Sequence, residues 1–434
     1  MKKMMNRAYY ISAEELAHRG RSNIPSELLS SAHLIYSSPA TLAFNSPGAQ
    51  GFGVKRAGLA VPGSVMLLIS PGCCGRNTAA LSKEGYNERF FYMMMDETDI
   101  VTGRHLAKIP DAVREICEAC DTAPTAVMIC ITCVDALLGT DMKRVCKKAS
   151  EYAGVPVIPC YMYALTREGR LPPMVAVRRS IYSLLKPASK KPDAVNILGY
   201  FSPLRDDCEL YSLLRQAGVR KIREISRCLD FGEYLKMSQA NFNLVLNQEA
   251  RYAALDMEKK LKIPSIELTR MYQLDKIRNQ YHLFGQAVGV TFDDQKYYDM
   301  ASASVEKFHK NHGDVIFAVG EWTNADPFEL SLALIRYGFA VSEIYGTVGD
   351  MNFSYIKKIA RLSPKTKIYS NLSPTMLCYD VCDSNVNAFI GKDAAYYHPG
   401  CVGICWNEEL QPFGYAGVTG LFEALDTALG KEGD

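Results

Sequence analysis

The sequence predicts an α/β protein of three Rossmann-like domains, each a parallel sheet flanked by helices, around an interdomain cavity. Three observations predict it. Short apolar runs rich in β-branched residues recur along the chain, each bounded by turn residues. Helical stretches separate nearly every pair of these runs. The rhythm restarts after a Pro/Lys/Ser-rich segment at 184–193 and again at 314, which divides the 434 residues into units of ordinary domain size. The expected domains are 1–190, 191–311 and 312–434.

Ser12 with Glu15 three residues on predicts a capping box at the first helix. SVMLLIS (64–70), TAVMICIT (125–132) and VPVIPC (155–160) predict buried strands, with a helix over 105–120 between the first two. AVNILGY (194–200), VRKIREI (219–225), NFNLVLN (241–247) and IPSIEL (263–268) predict the second set. DVIFAVG (314–320), YGFAVSEIYG (337–346), TKIYSN (366–371), NVNAFIG (385–391) and VGICW (402–406) predict the third, closed by a helix over 411–429. Sites in open α/β sheets lie outside the carboxyl ends of the strands. That rule points to the loops at 70–77, 132–139, 246–251, 319–326 and the segment before 414–417.

Forty-nine basic and 47 acidic residues leave a net charge of +2, which argues against a dedicated nucleic-acid binder. No apolar stretch reaches the length of a membrane span, and the mean hydropathy is −0.07. No apolar run follows the lysines at the start, so a cytoplasmic protein without a secretory signal is expected. There is no dinucleotide-binding glycine fingerprint, no P-loop, no nucleophile elbow and no HExxH helix. If ATP is used, a partner must bind it.

Fourteen cysteines stand out. In a reducing compartment they are not disulfides, and many are expected to be buried as small hydrophobes. Cys73, Cys74 and Gly75 lie at the exit of a tight loop directly after a strand. Thiolates there suit an iron–sulfur cluster, because loop N–H groups can donate to sulfide; a pair of buried cysteines is the other reading. Cys133 ends the next strand. The wider series Cys117, Cys120, Cys130, Cys133 mimics a zinc motif, but Cys117 and Cys120 fall on a helix and Cys130 inside a strand. Cys378, Cys382, Cys401 and Cys405 leave a second metal site open. His309 and His312 read as the solvated end of a helix.

SPGCCG (70–75), MDETDIVTGRHLAKIPDAVREI (95–116) and ICITCVDALLGTDMKRV (129–145) resemble the nitrogenase component 1 superfamily. NFNLVLNQEARYAALDMEKKLKIPSIEL (241–268), DVIFAVGEWTNADPFELSLALIRYGFAV (314–341) and PFGYAG (412–417) extend the resemblance in collinear order over most of the chain. That superfamily includes nitrogenase catalytic subunits, cofactor-assembly scaffolds, and subunits of dark-operative protochlorophyllide reductase. The resemblance carries Cys74 and Cys133 over as cluster ligands, with Cys73 an extra neighbour. The family's third cluster cysteine falls near Asn45, so Asn45 or Ser46 is expected to donate to the cluster instead. Asn247 stands where a nitrogenase subunit anchors its catalytic cofactor by cysteine, and His398 is out of place as that cofactor's second ligand. No cofactor of the iron–molybdenum type is therefore expected.

Two cysteines per chain imply a [4Fe–4S] cluster at the interface of a homodimer or of a pair with a paralogous subunit. An ATP-dependent reductase resembling the nitrogenase iron protein would deliver electrons to a small-molecule substrate other than dinitrogen. Asn247, Trp322 and Tyr415 are expected to line the cavity. Glu321 is expected to be the proton donor, against the alternative that it caps or solvates the next helix. Two other functions stay open: a non-catalytic scaffold for metallocluster assembly, and a metal-free ligand-binding relative.

Overall fold

The computed structural model describes residues 7–29, 38–45, 57–72, 87–131, 133–161 and 171–430. The chain opens on a two-residue strand, β1 (Ile11–Ser12), and the helix Ala13–Arg19. Ser12 caps that helix as its sequence predicts, the hydroxyl accepting the Glu15 N–H at 3.2 Å.

The first sheet is parallel, in the order β3 (Phe90–Met94), β2 (Val65–Ser70), β4 (Val127–Ile131), β5 (Val157–Tyr161). Alternation along β2 sends Val65, Leu67 and Ile69 to one face and Met66 and Leu68 to the other. The first face packs on Ile109, Val113 and Ile116 of the helix Arg104–Ala119 and on Met142, Cys146 and Ala149 of the helix Met142–Ala153. Both faces are buried, which is why these strands read as continuous apolar runs. β5 carries Pro159 and is an edge strand, where a missing N–H costs no ladder bond. β3 was not expected from sequence. It is an edge strand whose residues are half-buried or exposed.

The second sheet runs β7 (Lys221–Glu224), β6 (Lys191–Leu198), β8 (Ala240–Val245), β9 (Ser265–Glu267), all parallel. β6 starts at Lys191, so the end of the expected linker is strand. Both sheets belong to one compact unit, residues 50–203 with 218–269. The helix Pro173–Tyr182 joins them: Val177 and Ile181 share a core with Met66, Met128 and Cys160 of the first sheet and with Leu198 and Val245 of the second.

The other unit comprises residues 1–49, 204–217 and 270–434. Its sheet is ordered β1, β12 (Lys367–Tyr369), β11 (Ala340–Tyr345), β10 (Ile316–Val319), β13 (Ala388–Ile390), β14 (Val402–Ile404). All pairs are parallel except β1 with β12. The N-terminal strand thus joins the last sheet, not the one it precedes in sequence. The helices Leu274–Val288 and Gln295–His312 also fall in this unit, although the sequence pattern groups them with the second set of strands. Phe308 of the latter helix packs its ring, tilted, against those of Phe339 and Phe422 at 5.3 and 5.5 Å, fastening it to the closing helix Gly414–Gly430. Among the described residues no helix is long and apolar enough to cross a membrane.

Candidate functional site

Parallel strands deliver their carboxyl ends to one edge, so the loops leaving that edge of the third sheet are brought together by topology. The loop after β10 carries Glu321 and Trp322, the loop after β11 Thr347 and the loop after β12 Asn371, while Asp393 lies in the first turn of the helix Lys392–Tyr397 that follows β13. Asp393 is fully buried. Its carboxylate accepts the Glu321 N–H at 2.9 Å, the Trp322 N–H at 3.1 Å and the Asn371 amide at 2.7 Å. These three donors fix the Glu321 loop over the sheet edge. Gly320 is required beneath them, because a Cβ there would lie 2.0 Å from Asp393 Oδ1.

Glu321 is half-buried at this edge, and Oε1 accepts the Thr347 N–H at 3.0 Å. Burial pushes its pKa up, the neighbouring Asp393 carboxyl adds to that, and the Thr347 hydrogen bond opposes it. Burial likewise raises the Asp393 pKa against its three hydrogen bonds. Each of these bonds to Asp393 comes from a donor, so Glu321, with its raised pKa, is the carboxyl of this pair able to hold a proton. Trp322 Nε1 is buried beside it without a hydrogen-bond partner among the described residues. A donor left unsatisfied at such an edge is a natural contact for an acceptor on a ligand. Ser38 supports Asn371 from behind, its hydroxyl donating to Asn371 Oδ1 at 3.1 Å.

Of the residues expected from sequence, Glu321 and Trp322 therefore share one site. Asn371, Asp393 and Thr347 were missed, though each follows a strand that the sequence shows; the strand-end rule, applied to β11, β12 and β13, would have found them. The reading of Glu321 as a helix cap is overturned: Asp326 caps the following helix, Pro327–Arg336, accepting the Phe328 and Glu329 N–H groups.

Tyr415 is a core residue, not a cavity-lining one. It is fully buried, with its hydroxyl committed to Asp294 at 2.7 Å. The Gly-Tyr-x-Gly segment starts the closing helix, and a carboxylate from another helix caps it. Glu209 Oε1 accepts the Tyr415 N–H at 2.7 Å and the Tyr281 hydroxyl at 2.6 Å, and Oε2 accepts the Ala416 N–H at 3.0 Å. Asn247, after β8, caps a short turn by accepting the Glu249 N–H at 3.0 Å. Beside it the buried Arg178 donates twice to the Gly199 carbonyl, at 2.9 and 2.7 Å, and pairs with Glu249 at 2.7 Å. That edge is filled by an arginine clamp.

Cys73, Cys74, Gly75 and Ser46, and the side chains of Asn45 and Cys133, lie outside the described residues. The strands that lead to the cysteines are described. β2 and β4 are adjacent and parallel, with Ile69 opposite Ile131. The loops bearing Cys73 and Cys74 and the helix Cys133–Leu137 therefore start from neighbouring strand ends. That helix is anchored by a buried pair: His105 Nε2 lies 3.0 Å from Asp135 Oδ1, and Thr140 donates to the same oxygen at 3.0 Å. The Asp99 carbonyl, 3.1 Å from His105 Nδ1, can only accept, so Nδ1 carries a proton and a second proton is shared between Nε2 and Asp135. Asp135 Oδ2 is buried without a partner among the described residues.

The remaining cysteines fit structural roles. Cys130 and Cys160 are fully buried in the first core. Cys401 donates to the Val386 carbonyl, while Cys382 and Cys405 are exposed. Among the described residues no three His, Cys, Asp or Glu side chains converge as a metal site would require. His312 pairs with Asp426 at 3.1 Å near the end of its helix.

Comparison with known proteins agrees with this layout. The nitrogenase iron–molybdenum cofactor biosynthesis protein NifE of Rhizobium meliloti is 34% identical over 127 residues, covering 29% of this chain and 26% of that protein. NifE of Methanococcus maripaludis is 26% identical over 227 residues, covering 51% and 46%. The matches thus span less than half the length of these curated relatives. A solved structure titled "Nitrogenase Cp1 at pH 6.5" superposes with a TM-score of 0.69 at 16% identity, covering 94% of this chain and 95% of that one; it shares the fold. The family model for nitrogenase component 1 type oxidoreductases matches residues 49–429, so this chain belongs to that family.

Proposed function

We propose that this chain is the component of a nitrogenase-like reductase system that carries an iron–sulfur cluster at a subunit interface, with Cys74 and Cys133 as ligands and Cys73 beside them. The observation that carries the proposal is the pairing of β2 with β4, which starts both cysteine segments from neighbouring strand ends. Thiolates so placed fit a [4Fe–4S] cluster, which when bound supplies one-electron transfer. Asn45, Ser46 and Gly75 would supply hydrogen bonds around it. The exposed apolar side chains Val101 and Leu137, the latter on the helix that begins at Cys133, suit a partner surface for a second copy or a paralogous subunit. The chain has no nucleotide motif, so an ATP-dependent reductase of the iron-protein type would be the electron source.

The substrate is a small molecule received at the carboxyl edge of the third sheet. There Glu321 holds a proton for delivery, Asp393 and Asn371 fix the loop that carries it, and Trp322 Nε1 donates to an acceptor on the substrate. Dinitrogen is not the proposed substrate, and no iron–molybdenum-type cofactor is proposed.

The second reading is a scaffold on which a metallocluster is assembled and passed on. It is favoured by the names of the relatives, all biosynthesis proteins. Anaerobic iron and sulfide analysis with EPR tests the shared premise: about four irons per dimer are expected, lost in both Cys74→Ala and Cys133→Ala. A colourless, iron-free protein prepared with iron supplied would sink both readings. ATP-dependent turnover with an iron-protein-type reductase then separates them. Under the first reading Glu321→Gln lowers that turnover roughly 100-fold while leaving iron content unchanged. Under the second there is no turnover, and the cluster moves to an acceptor apoprotein.

A further inference from the structure

Behind the carboxyl edge of the third sheet lies a ladder of tyrosines whose rings pack a core there and whose hydroxyl groups the proposed function does not use. It begins at Tyr10, 48% exposed, whose ring centroid is 5.5 Å from that of Tyr369. Tyr369 stacks on Tyr345 at 5.3 Å, and Tyr345 stacks on Tyr397 at 5.0 Å. Tyr397 meets Tyr396, 44% exposed, at 5.3 Å. Rings at this spacing are in van der Waals contact. The series therefore links two exposed phenols through three buried ones, Tyr369, Tyr345 and Tyr397. Tyr345 ends β11, two residues before the Thr347 N–H that binds Glu321, so the inner rung adjoins the candidate site.

A phenol gives up an electron readily only if its proton has somewhere to go. Tyr345 is built for that. Its hydroxyl donates to Glu343 Oε2 at 2.8 Å, and Tyr379 donates to the same oxygen at 2.8 Å. His398 Nε2 lies 3.0 Å from the Tyr345 hydroxyl and 3.1 Å from that of Tyr379. Glu343 and His398 are fully buried, and His398 Nδ1 has no hydrogen-bond partner among the described residues. Lys367, 3.6 Å from Glu343 Oε1, is the remaining charge facing the group. Burial raises the Glu343 pKa, but hydrogen bonds from His398, Tyr345 and Tyr379 outweigh it and hold it down to about 2, so Glu343 is ionised. It can take the phenol's proton only once an electron has left the ring, because a phenol that has lost an electron is a far stronger acid than a carboxyl.

We propose that this ladder conducts a one-electron hole between the surface and Tyr345, with Glu343 taking the proton that the phenol releases. The balance is simple. A one-electron oxidant of the oxygen-radical or high-valent-metal class takes an electron from Tyr10 or Tyr396. Tyr345 refills that phenol by electron transfer along the stacked rings. Its O–H bond breaks, the proton goes to Glu343, and the products are a Tyr345 phenoxyl, a neutral Glu343 carboxyl and the reduced oxidant. A thiol-class reductant at the surface returns the electron, and Glu343 returns the proton. Such a route would carry oxidising equivalents away from the sheet edge. It stands independently of the cluster reading, since it uses only this chain's own side chains.

The test uses the full chain and photogenerated tris(bipyridine)ruthenium(III) as oxidant. In the unaltered protein a phenoxyl radical should form that outlives those on exposed tyrosines, with an exchangeable deuteron coupling in D2O from the Glu343 proton. Tyr345→Phe should abolish the long-lived radical, and Glu343→Gln should slow its appearance roughly 100-fold, the usual contribution of a positioned base. Tyr369→Phe combined with Tyr397→Phe should cut the path while leaving Tyr345 and Glu343 in place. If the unaltered protein gives only radicals that decay like free tyrosine, the proposal is overturned without recourse to any variant. It is equally overturned if Glu343→Gln, melting normally, forms the radical at the unaltered rate.

Discussion

His105 Nε2 lies 3.0 Å from Asp135 Oδ1, and neither side chain touches solvent. The pair spans two segments, one on the helix Arg104–Ala119 and one on the short helix that begins at Cys133. Removing one partner strands a polar group in the core, whereas removing both need not. His105→Phe should therefore lower stability by about 3 kcal/mol, and His105→Leu with Asp135→Leu should cost less than the two single changes summed. Thermal melts of the four proteins check this; additive losses would show that the pair is not coupled.

The Asp393 carboxylate faces only donors. An amide in its place must turn one NH2 toward another N–H, leaving at least one bond unmade. Asp393→Asn should cost about 2 kcal/mol and should loosen the loop carrying Glu321. Hydrogen exchange at the Glu321 and Trp322 amides gives the local readout, and unchanged protection would refute the role given to Asp393.

Glu329 sets a pH dependence. It is fully buried on the helix Pro327–Arg336 and accepts the Tyr272 N–H at 2.9 Å and the Gln273 side-chain amide at 2.9 Å. Burial outweighs these bonds and pushes its pKa up to about 7 from 4.5. The folded state thus holds a proton that the unfolded chain has released. Stability contributed by this group is complete below pH 4.5 and falls as pH rises toward 7, by roughly 3 kcal/mol in all. Glu329→Gln should flatten the melting temperature across that window. A profile as steep as that of the unaltered protein would contradict it.

Gly414 and Gly417 lie in the same helix start but should respond oppositely. A Cβ on Gly414 would lie 1.8 Å from Glu209 Oε1, and its φ is +62°. On Gly417 the nearest atom is at 3.4 Å, an ordinary contact. Gly414→Ala should cost about 2 kcal/mol or more, while Gly417→Ala should be neutral or gain up to about 1 kcal/mol of helix propensity. Equal melting shifts would rule out the carboxylate cap as the reason for Gly414.

Most strands were legible because those buried on both faces leave an unbroken apolar run, as in Val65–Ser70. β1 and β3 were not: one is two residues long, the other a half-exposed edge whose register comes from its neighbour. Glu321 and Trp322 were legible through their place after β10. Asn371 and Asp393 were hidden because their partnership is non-local: Asp393 meets Glu321 and Trp322 across more than 70 residues of chain. Asn247 and Tyr415 were misplaced for a related reason. Spacing puts a residue at a strand end or helix start without telling whether its side chain caps, packs or faces a ligand.

The antiparallel pairing of Ile11 with Ile368 has a consequence for biosynthesis. At 5–20 residues per second the ribosome needs roughly 20–70 s between making one strand and the other. The unit built from 50–203 and 218–269 is synthesised well before then, while the first strand waits for its partner. Until β12 is made, the first strand keeps unpaired backbone N–H and C=O groups that any other nascent chain could pair with. Two residues near the start of the chain thus seal the last sheet against self-association, and the risk lasts until near the end of synthesis.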